Sequence, residues 1–134
     1  MPQFVDTNIW VYAHLTGVAD AKSEAARNLL GRLDDPVIST QVLAEYSAVM
    51  IRNHLPDIQV RENLEAMMAM SRTELVSLDT VRGAWNLRSR YGYSIWDCQI
   101  IASALQGGCD TLLTEDLQHG QVINGSLTVR NPFV

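Results

Sequence analysis

Apolar residues recur along this chain with two spacings, one typical of strands and one typical of helices. Short apolar or alternating runs predict strands at residues 3–5, 37–38, 74–78, 111–113 and 127–129. Apolar residues at helical spacing predict helices at residues 9–15, 21–33, 40–55 and 58–70. Two further helices are predicted, one from a cap at Asp79 or Thr80 to Tyr91 and one from a cap at Ser94 to the Gly107-Gly108 pair.

This alternation of strands and amphipathic helices predicts an α/β sandwich around a central, mainly parallel sheet. Its crossover connections should be right-handed. With 134 residues and no repeat or linker, the chain is expected to form one domain over residues 1–134. Functional residues of such sheets gather at the carboxyl ends of the strands. Polar side chains just past a strand end are therefore the first candidates for chemistry.

Hydrophobic residues make up 47% of the sequence, enough for a packed core without disulfides or a structural metal. No apolar run approaches the roughly 20 residues of a membrane span. Asp6 interrupts the first apolar stretch and no basic segment precedes it, so no signal peptide is predicted. A cytoplasmic location is the expectation.

Cysteine and histidine are too sparse to suggest a zinc or redox site. Cys98 and Cys109 have no second pair, and we interpret both as small buried hydrophobes. His14, His54 and His119 show no metal-ligand spacing, which argues against a zinc hydrolase. The net charge of −5 argues at first sight against a nucleic-acid partner. That argument weakens if four acids share a metal, because the other eleven nearly balance the ten basic residues.

Asp6 directly follows the first predicted strand, and Thr7 and Asn8 then turn the chain into a helix. All three residue types cap helices well, so capping alone is the simplest explanation. Three such residues in succession nevertheless exceed what one helix start needs. This excess favours a functional role for Asp6.

Asp116 follows the strand predicted at residues 111–113. If the strand continues, Thr114 and Asp116 share a face and Glu115 points to the other. The Thr114 hydroxyl could then orient a carboxylate or a water. Asp116 is the favoured functional acid, Glu115 is an additional ligand candidate, and Asp110 is excluded because it lies at the opposite end of this strand.

Two further acids lie inside predicted helices, in apolar surroundings. Glu45 has Val42 and Val49 at helical spacing, and a carboxylate in such a stretch is costly unless something pairs with it. Asp97 lies in the first turn after Ser94, where an acid also suits the helix dipole. Its neighbours are strongly apolar, which predicts a carboxylate set in a buried helix and favours a ligand role.

Four acids at catalytic positions, without a histidine or cysteine partner, indicate a site for a hard cation. The set is Asp6, Glu45, Asp97 and Asp116. Mg²⁺ and Mn²⁺ prefer oxygen ligands, and a cation offsets the repulsion between neighbouring carboxylates. Such a site can activate water and stabilise charge during displacement at a phosphodiester.

The same residues resemble the PIN-domain ribonucleases, and most closely the VapC-type toxins. The resemblance covers essentially the whole chain. It is carried by VDTN at residues 5–8, Glu45, YSIWD at residues 93–97 and GCDTLLTED at residues 108–116.

The resemblance implies a three-layer α/β/α fold and an Mg²⁺ or Mn²⁺ site formed by the four acids. Thr7 or Asn8, together with Thr114, would be polar partners of those acids. It further implies RNA cleavage that leaves a 5′-phosphate and a 3′-hydroxyl, and a homodimer. A cognate VapB-type antitoxin would block the site with its carboxy-terminal segment.

RNA binding also needs a cationic contact surface. Arg82, Arg88 and Arg90 lie on the helix before Asp97 and are candidates for it. Tyrosines beside them could stack on unpaired bases. An ordinary solvated helix face explains the same pattern at least as well.

The same residues argue against two other enzyme or nucleotide-binding functions. An aspartate-dependent phosphatase of the haloacid-dehalogenase type needs a second Asp where Asn8 stands, and it uses a late lysine. The sole lysine here, Lys22, is early. A P-loop nucleotide binder lacks its glycine-rich motif. A domain that binds RNA or a protein without cleaving stays open, although the intact acids argue against it.

Overall fold

A computed structural model describes residues 1–15 and 20–134, which contain six helices and six strands. In chain order these are β1 (Gln3–Val5), α1 (Thr7–His14), α2 (Ala21–Leu30), β2 (Pro36–Ser39), α3 (Thr40–Arg52), α4 (Asp57–Met70), β3 (Arg72–Glu74), α5 (Leu78–Tyr91), α6 (Ile95–Gln106), β4 (Thr111–Leu113), β5 (Val122–Ile123) and β6 (Leu127–Arg130).

The strands form one sheet in the order β3-β2-β1-β4-β6-β5, and every neighbouring pair is parallel except β5 with β6. Helix α1 packs against α2 and α3, and α3 packs against α4, while α5 packs against α6. Right-handed crossovers place these two groups on opposite faces of the sheet. The predicted three-layer α/β/α fold with a mainly parallel sheet is therefore confirmed.

The direction in which the chain adds strands reverses beside β1. Strands β2 and β3 lie on one side of β1, and the chain then crosses back to add β4 on the other side. A crevice forms at the carboxyl ends of the strands where such a reversal occurs. Asp6 follows β1 and Asp116 follows β4, so both carboxylates lie at this crevice.

The core lies between the sheet and its two helical layers. Phe4, Trp10, Ile101 and Leu112 are completely buried in it. The Trp10 indole N–H donates to the carbonyl of Val5 at 3.3 Å, which ties α1 to the end of β1. The start of α1, and with it the Asp6 segment, is thus held by packing and by a buried hydrogen bond.

The strand predicted at residues 74–78 is wrong in position. The strand is Arg72–Glu74, and Ser77 already caps α5 in a capping box with Thr80, where Asp79 or Thr80 was the predicted cap. The Ser77 side chain accepts a hydrogen bond from the backbone N–H of Thr80, which starts a helix at this point. The helix start therefore prevails over the strand that the apolar alternation predicts.

Short-range turn chemistry also explains the other differences. β5 escaped prediction because it has only two residues, although Asn124 and Gly125 after it both have the positive φ of a hairpin turn. Helix α3 ends at Arg52, before a left-handed residue at His54, and α2 ends at Leu30.

Within residues 1–15 and 20–134, no helix has the length and apolar character needed to cross a bilayer.

Candidate active site

A cavity of about 430 Å³ opens at the carboxyl edge of the sheet, and all four predicted acids line it. Its polar lining consists of Asp6, Thr7, Asn8, Glu45, Arg52, Asp97 and Asp116. Its other lining residues are Val11, Tyr12, Ala48, Val49, Trp96 and Ile100. The acids come from the start of α1, the middle of α3, the start of α6 and the segment after β4, so the fold unites four distant parts of the chain.

Asp6 is the most buried of the four acids, with 5% of its surface exposed. The backbone N–H of Thr7 donates to its Oδ1 at 2.7 Å, and the Thr114 hydroxyl donates to its Oδ2 at 2.7 Å. Burial nevertheless raises the pKa of Asp6 to about 7, and the charges of Asp116 and Glu45 act in the same direction. This carboxylate is held in a place where a nearby cation would favour its ionised form.

Thr114 links Asp6 to Asp116. While its hydroxyl donates to Asp6, its oxygen accepts from the backbone N–H of Asp116 at 3.1 Å and from the Asn8 amide at 3.4 Å. The same Asn8 amide donates to Asp116 Oδ2 at 3.1 Å. Thr114 and Asn8 therefore fix the relative positions of two carboxylates that lie on neighbouring strand ends.

Glu45 lies half-buried in the middle of α3 and faces the start of α1. The Thr7 hydroxyl donates to its Oε1 at 2.7 Å, and the Gln41 amide lies 3.4 Å from its Oε2. Glu45 and Arg52 are seven residues apart on one helix, which places both on the cavity face. A carboxylate in an apolar stretch is thus paired, as its cost on burial requires.

Asp97 projects from the first turn of α6, where its backbone N–H donates to the cap Ser94 at 3.1 Å. Burial raises the pKa of Asp97, with Glu45 acting in the same direction, and the hydrogen bond from Ser94 opposes the change. The expectation of a buried helix start is wrong, because Asp97 is only half-buried and Trp96 is 64% exposed. The first turn of α6 lies at the open edge of the cavity, and only the next turn enters the core.

Asp116 is the most exposed of the four acids. Desolvation raises its pKa, the charges of Asp97 and Glu115 add to the increase, and the hydrogen bond from Asn8 opposes it. The increase caused by Asp97 shows that carboxylates from α6 and from the β4 end act on each other electrostatically.

Glu115 is turned away from the four acids. Its Oε1 accepts from the Tyr12 hydroxyl at 2.7 Å, and its Oε2 lies 2.9 Å from the Lys22 ammonium. Glu115 does not line the cavity. Glu115 therefore connects α1 and α2 to the end of β4. Its side chain points away from Asp116, as strand alternation predicts.

The three arginines predicted to contact RNA are not brought to the acids. Arg82 pairs with an acid on its own helix, Arg88 donates to a main-chain carbonyl at 2.6 Å and Arg90 donates to Asn124 at 3.1 Å. The arginine that lines the cavity is Arg52, which the sequence reasoning missed. Its position two helical turns after Glu45 is the signal that could have identified it.

The donor set fits a hard divalent cation, since it consists of carboxylate, hydroxyl and amide oxygens and the cavity lining includes no histidine or cysteine. The Asn8 Oδ1 atom is buried and accepts no hydrogen bond from any described part of the protein. As the described side chains stand, no three acids lie close enough to enclose an ion directly. Water-mediated contacts, which Mg²⁺ commonly keeps, are compatible with this spacing.

Comparison with known proteins places this geometry in a family. Residues 4–123 match the PIN domain. No curated protein matches the sequence significantly. Solved structures do match, and they share the fold at low sequence identity.

Three of these structures show the extent of the likeness. The VapC20 toxin of Mycobacterium tuberculosis, which cleaves the sarcin–ricin loop, is 24% identical with a TM-score of 0.69, over 82% of this chain and 86% of that one. A toxin–antitoxin complex from Klebsiella pneumoniae is 20% identical with a TM-score of 0.72, over 97% of both chains. VapBC2 of Rickettsia felis, bound to a promoter DNA fragment, is 21% identical with a TM-score of 0.70, over 98% of this chain and 100% of that one.

Proposed function

Because this chain belongs to the PIN-domain family, we propose that it is a metal-dependent endoribonuclease and the toxin of a toxin–antitoxin pair. The observation that carries the proposal is the convergence of Asp6, Glu45, Asp97 and Asp116 on one cavity at the carboxyl edge of the sheet. An oxygen-only set of this kind suits Mg²⁺ or Mn²⁺ and phosphodiester hydrolysis.

In this proposal the four acids share one cation. Asp6, Asp97 and Asp116 would hold it directly or through water, and Glu45 would add a further oxygen from α3. A divalent cation held there would supply charge stabilisation for a phosphodiester and lower the pKa of a water. Thr114 keeps Asp6 and Asp116 in register through its hydrogen bonds to both.

Two cavity residues suit contacts with the RNA itself. Arg52 offers a guanidinium on the cavity face of α3, where it can donate to a phosphate oxygen. The exposed indole of Trp96 lines the same cavity and can stack on an unpaired base. Single-stranded RNA is therefore the proposed substrate, cleaved to leave a 5′-phosphate and a 3′-hydroxyl.

The partner proposals rest on the family and on its structural neighbours. A toxin that cleaves the sarcin–ricin loop, a toxin–antitoxin complex and VapBC2 share this fold across most of the chain. We propose a homodimer, and a VapB-type antitoxin whose carboxy-terminal segment covers the acidic cavity. The apolar side of the cavity, formed by Val11, Val49 and Ile100 among others, suits burial by such a segment.

The test is cleavage of total cellular RNA by the purified protein with Mg²⁺, with Mn²⁺ and with EDTA. We expect Asp97→Asn and Asp116→Asn each to lower the cleavage rate by more than about 100-fold. This exceeds the roughly 10- to 100-fold loss that follows removal of an outer-shell partner of a metal site. Asp79→Asn is the matched control, because its side chain is 93% exposed and does not line the cavity. Sequencing the fragment ends would identify the target and the cut site.

Failure of the wild-type protein to cut any RNA, although it folds and binds Mn²⁺, would contradict the enzyme proposal. It would favour a PIN-like domain that binds RNA or protein without cleavage. Equal loss of cleavage in Asp79→Asn would show that the effect of the acids is not specific to the cavity.

A further inference from the structure

A second cavity, of about 490 Å³, lies beside the acidic one at the carboxyl ends of β4 and β6. We propose that this second cavity binds the phosphate backbone of the RNA next to the bond that is cut, an inference that rests on the proposed function. Its polar lining consists of Asn28, Arg32, His119, Arg130 and Asn131.

The second cavity is cationic in a chain whose net charge is −5. No acidic side chain lines it, within the parts of the chain that the structure describes, although Val134, which also lines it, carries the terminal carboxylate. The three ion pairs found among those residues involve Lys22, Arg72 and Arg82, so Arg32 and Arg130 have no carboxylate partner there within 4.0 Å. Two guanidiniums that line one cavity without forming an ion pair among the described residues attract an anion and can each donate two hydrogen bonds to it.

The other polar groups of the second cavity are also suited to an anion. The backbone N–H of Asn131 donates to Nδ1 of His119 at 3.0 Å, so the ring proton of the neutral imidazole lies on Nε2. His119 can therefore act as a hydrogen-bond donor through Nε2. Asn28 and Asn131 each carry an amide NH₂ group that can donate as well.

The backbone joins the second cavity directly to the acidic site. Leu113 lines the second cavity and is paired in register with both Val5 and Arg130. The N–H of Thr114 donates to the carbonyl of Arg130 at 3.0 Å, and the Thr114 hydroxyl donates to Asp6. Two strand spacings, about 10 Å, therefore separate the backbone at Arg130 from the backbone near Asp6.

This arrangement gives RNA a continuous path across the edge of the sheet. Arg52 lies on α3, which follows β2 on one side of β1, while Arg130 ends β6 on the other side. The acids at β1 and β4 lie between them. A single strand that placed one phosphate at the acids would carry a neighbouring phosphate to the second cavity, as expected for a charged groove that tracks the backbone.

The test uses Arg32→Gln and Arg130→Gln, each of which removes one charge from an exposed side chain. Arg61→Gln is the matched control, since it removes one charge from the exposed face of α4 and lines neither cavity. Binding of a labelled single-stranded oligoribonucleotide of about 12 nucleotides is measured in EDTA at several salt concentrations. Cleavage of the same RNA with Mn²⁺ is measured in parallel.

We expect Arg32→Gln and Arg130→Gln each to weaken RNA binding about threefold to tenfold and Arg61→Gln to leave it unchanged. Each pocket variant should also reduce the slope of log K against log[salt] by about 0.7. Binding and cleavage equal to those of Arg61→Gln would overturn the inference, while cleavage by the wild type would leave the proposed function standing. If the wild type cuts nothing but the pocket variants still bind more weakly, the second cavity is supported and the enzyme proposal fails.

A polyglutamate peptide provides the comparison with an acidic protein segment, the other anion of similar charge. Loss of peptide binding in Arg32→Gln and Arg130→Gln, with RNA binding unchanged, would overturn the inference in favour of a protein partner. Thermal unfolding of all three variants checks that the fold is retained, as expected for exposed side chains.

Discussion

Replacing Asp6 with Asn should stabilise the metal-free protein at neutral and alkaline pH while abolishing RNA cleavage. The pKa of Asp6 is about 7 in the folded protein, against an ordinary value of 3.8. Because the folded state holds the proton more tightly, the contribution of Asp6 to stability is present below about pH 4. It is lost as the pH rises through about 7.

The magnitude follows from the two pKa values. Their difference corresponds to up to about 4 kcal/mol of unfolding free energy, lost by the wild type between about pH 4 and pH 8. Asn carries no charge and can still accept from the Thr7 N–H, but it loses the bond that Asp6 Oδ2 accepts from the Thr114 hydroxyl, so about 4 kcal/mol is the upper limit of its gain. For a domain of this size, a gain of about 4 kcal/mol would raise the melting temperature by roughly 10 °C.

The assay is thermal unfolding of the wild type and Asp6→Asn in EDTA, from pH 5 to pH 8.5. Asp34→Asn is the matched control, because Asp34 is exposed and lines neither cavity. The advantage of Asp6→Asn should grow with pH. Added Mn²⁺ should narrow the difference, since an ion at 100 times its Kd stabilises the wild type by about 2.7 kcal/mol. A metal-free Asp6→Asn protein that is less stable than the wild type at pH 8 would refute this reasoning.

Three further perturbations test other parts of the account. Thr114→Val should raise the Mn²⁺ concentration needed for half-maximal cleavage about tenfold, because it removes the hydroxyl that donates to Asp6. Thr114→Ser should restore the wild-type Mn²⁺ requirement. An unchanged Mn²⁺ requirement in Thr114→Val would count against a positioning role for Thr114. Arg52→Gln should raise the KM for RNA about threefold to tenfold at unchanged Mn²⁺ affinity, as measured by steady-state cleavage, and an unchanged KM would remove Arg52 from the RNA path. Ile101→Ala, at a fully buried core position, should lower the unfolding free energy by about 2–5 kcal/mol in urea titrations without changing Mn²⁺ affinity.

Much of the fold could be predicted from the sequence because local signals agree with the final topology. The strand at residues 3–5 and the cap at Asp6 are encoded within a few residues, and the cap Ser94 likewise positions Asp97 at the start of α6. In a parallel sheet, the carboxyl ends of neighbouring strands lie at one edge. An acid just past β1 and an acid just past β4 are therefore expected in the same crevice once the strand order is known.

What escaped prediction depends on contacts between distant parts of the chain. Asn8 donates to Asp116 across 108 residues, and Lys22 pairs with Glu115 across 93 residues. Strand alternation separates Asp116 from Glu115, but no local pattern reveals that Asn8 is the partner of the first and Lys22 the partner of the second. The second cavity escaped for the same reason, since Arg130 reaches the acidic edge only through the pairing of β6 with β4.

The three arginines on α5 illustrate the limit of charge patterns. Their spacing with two tyrosines resembled an RNA surface, but the exposed side chains contact their own helix, a following carbonyl and Asn124. The cavity arginine is Arg52, which stands alone in the sequence without an aromatic neighbour. Arg52 lines the acidic cavity and the three α5 arginines do not, and this difference is set by the tertiary fold.

The most direct test of the central claim is the position of Mn²⁺ in a crystal of the wild-type protein, located by its anomalous scattering. We expect a peak in the acidic cavity, in contact with the carboxylates of Asp6, Asp97 and Asp116 either directly or through water, and its loss in Asp97→Asn crystals. A cavity without a peak at saturating Mn²⁺, or a peak that persists when Asp97 is replaced, would contradict the assignment of these acids as the metal site.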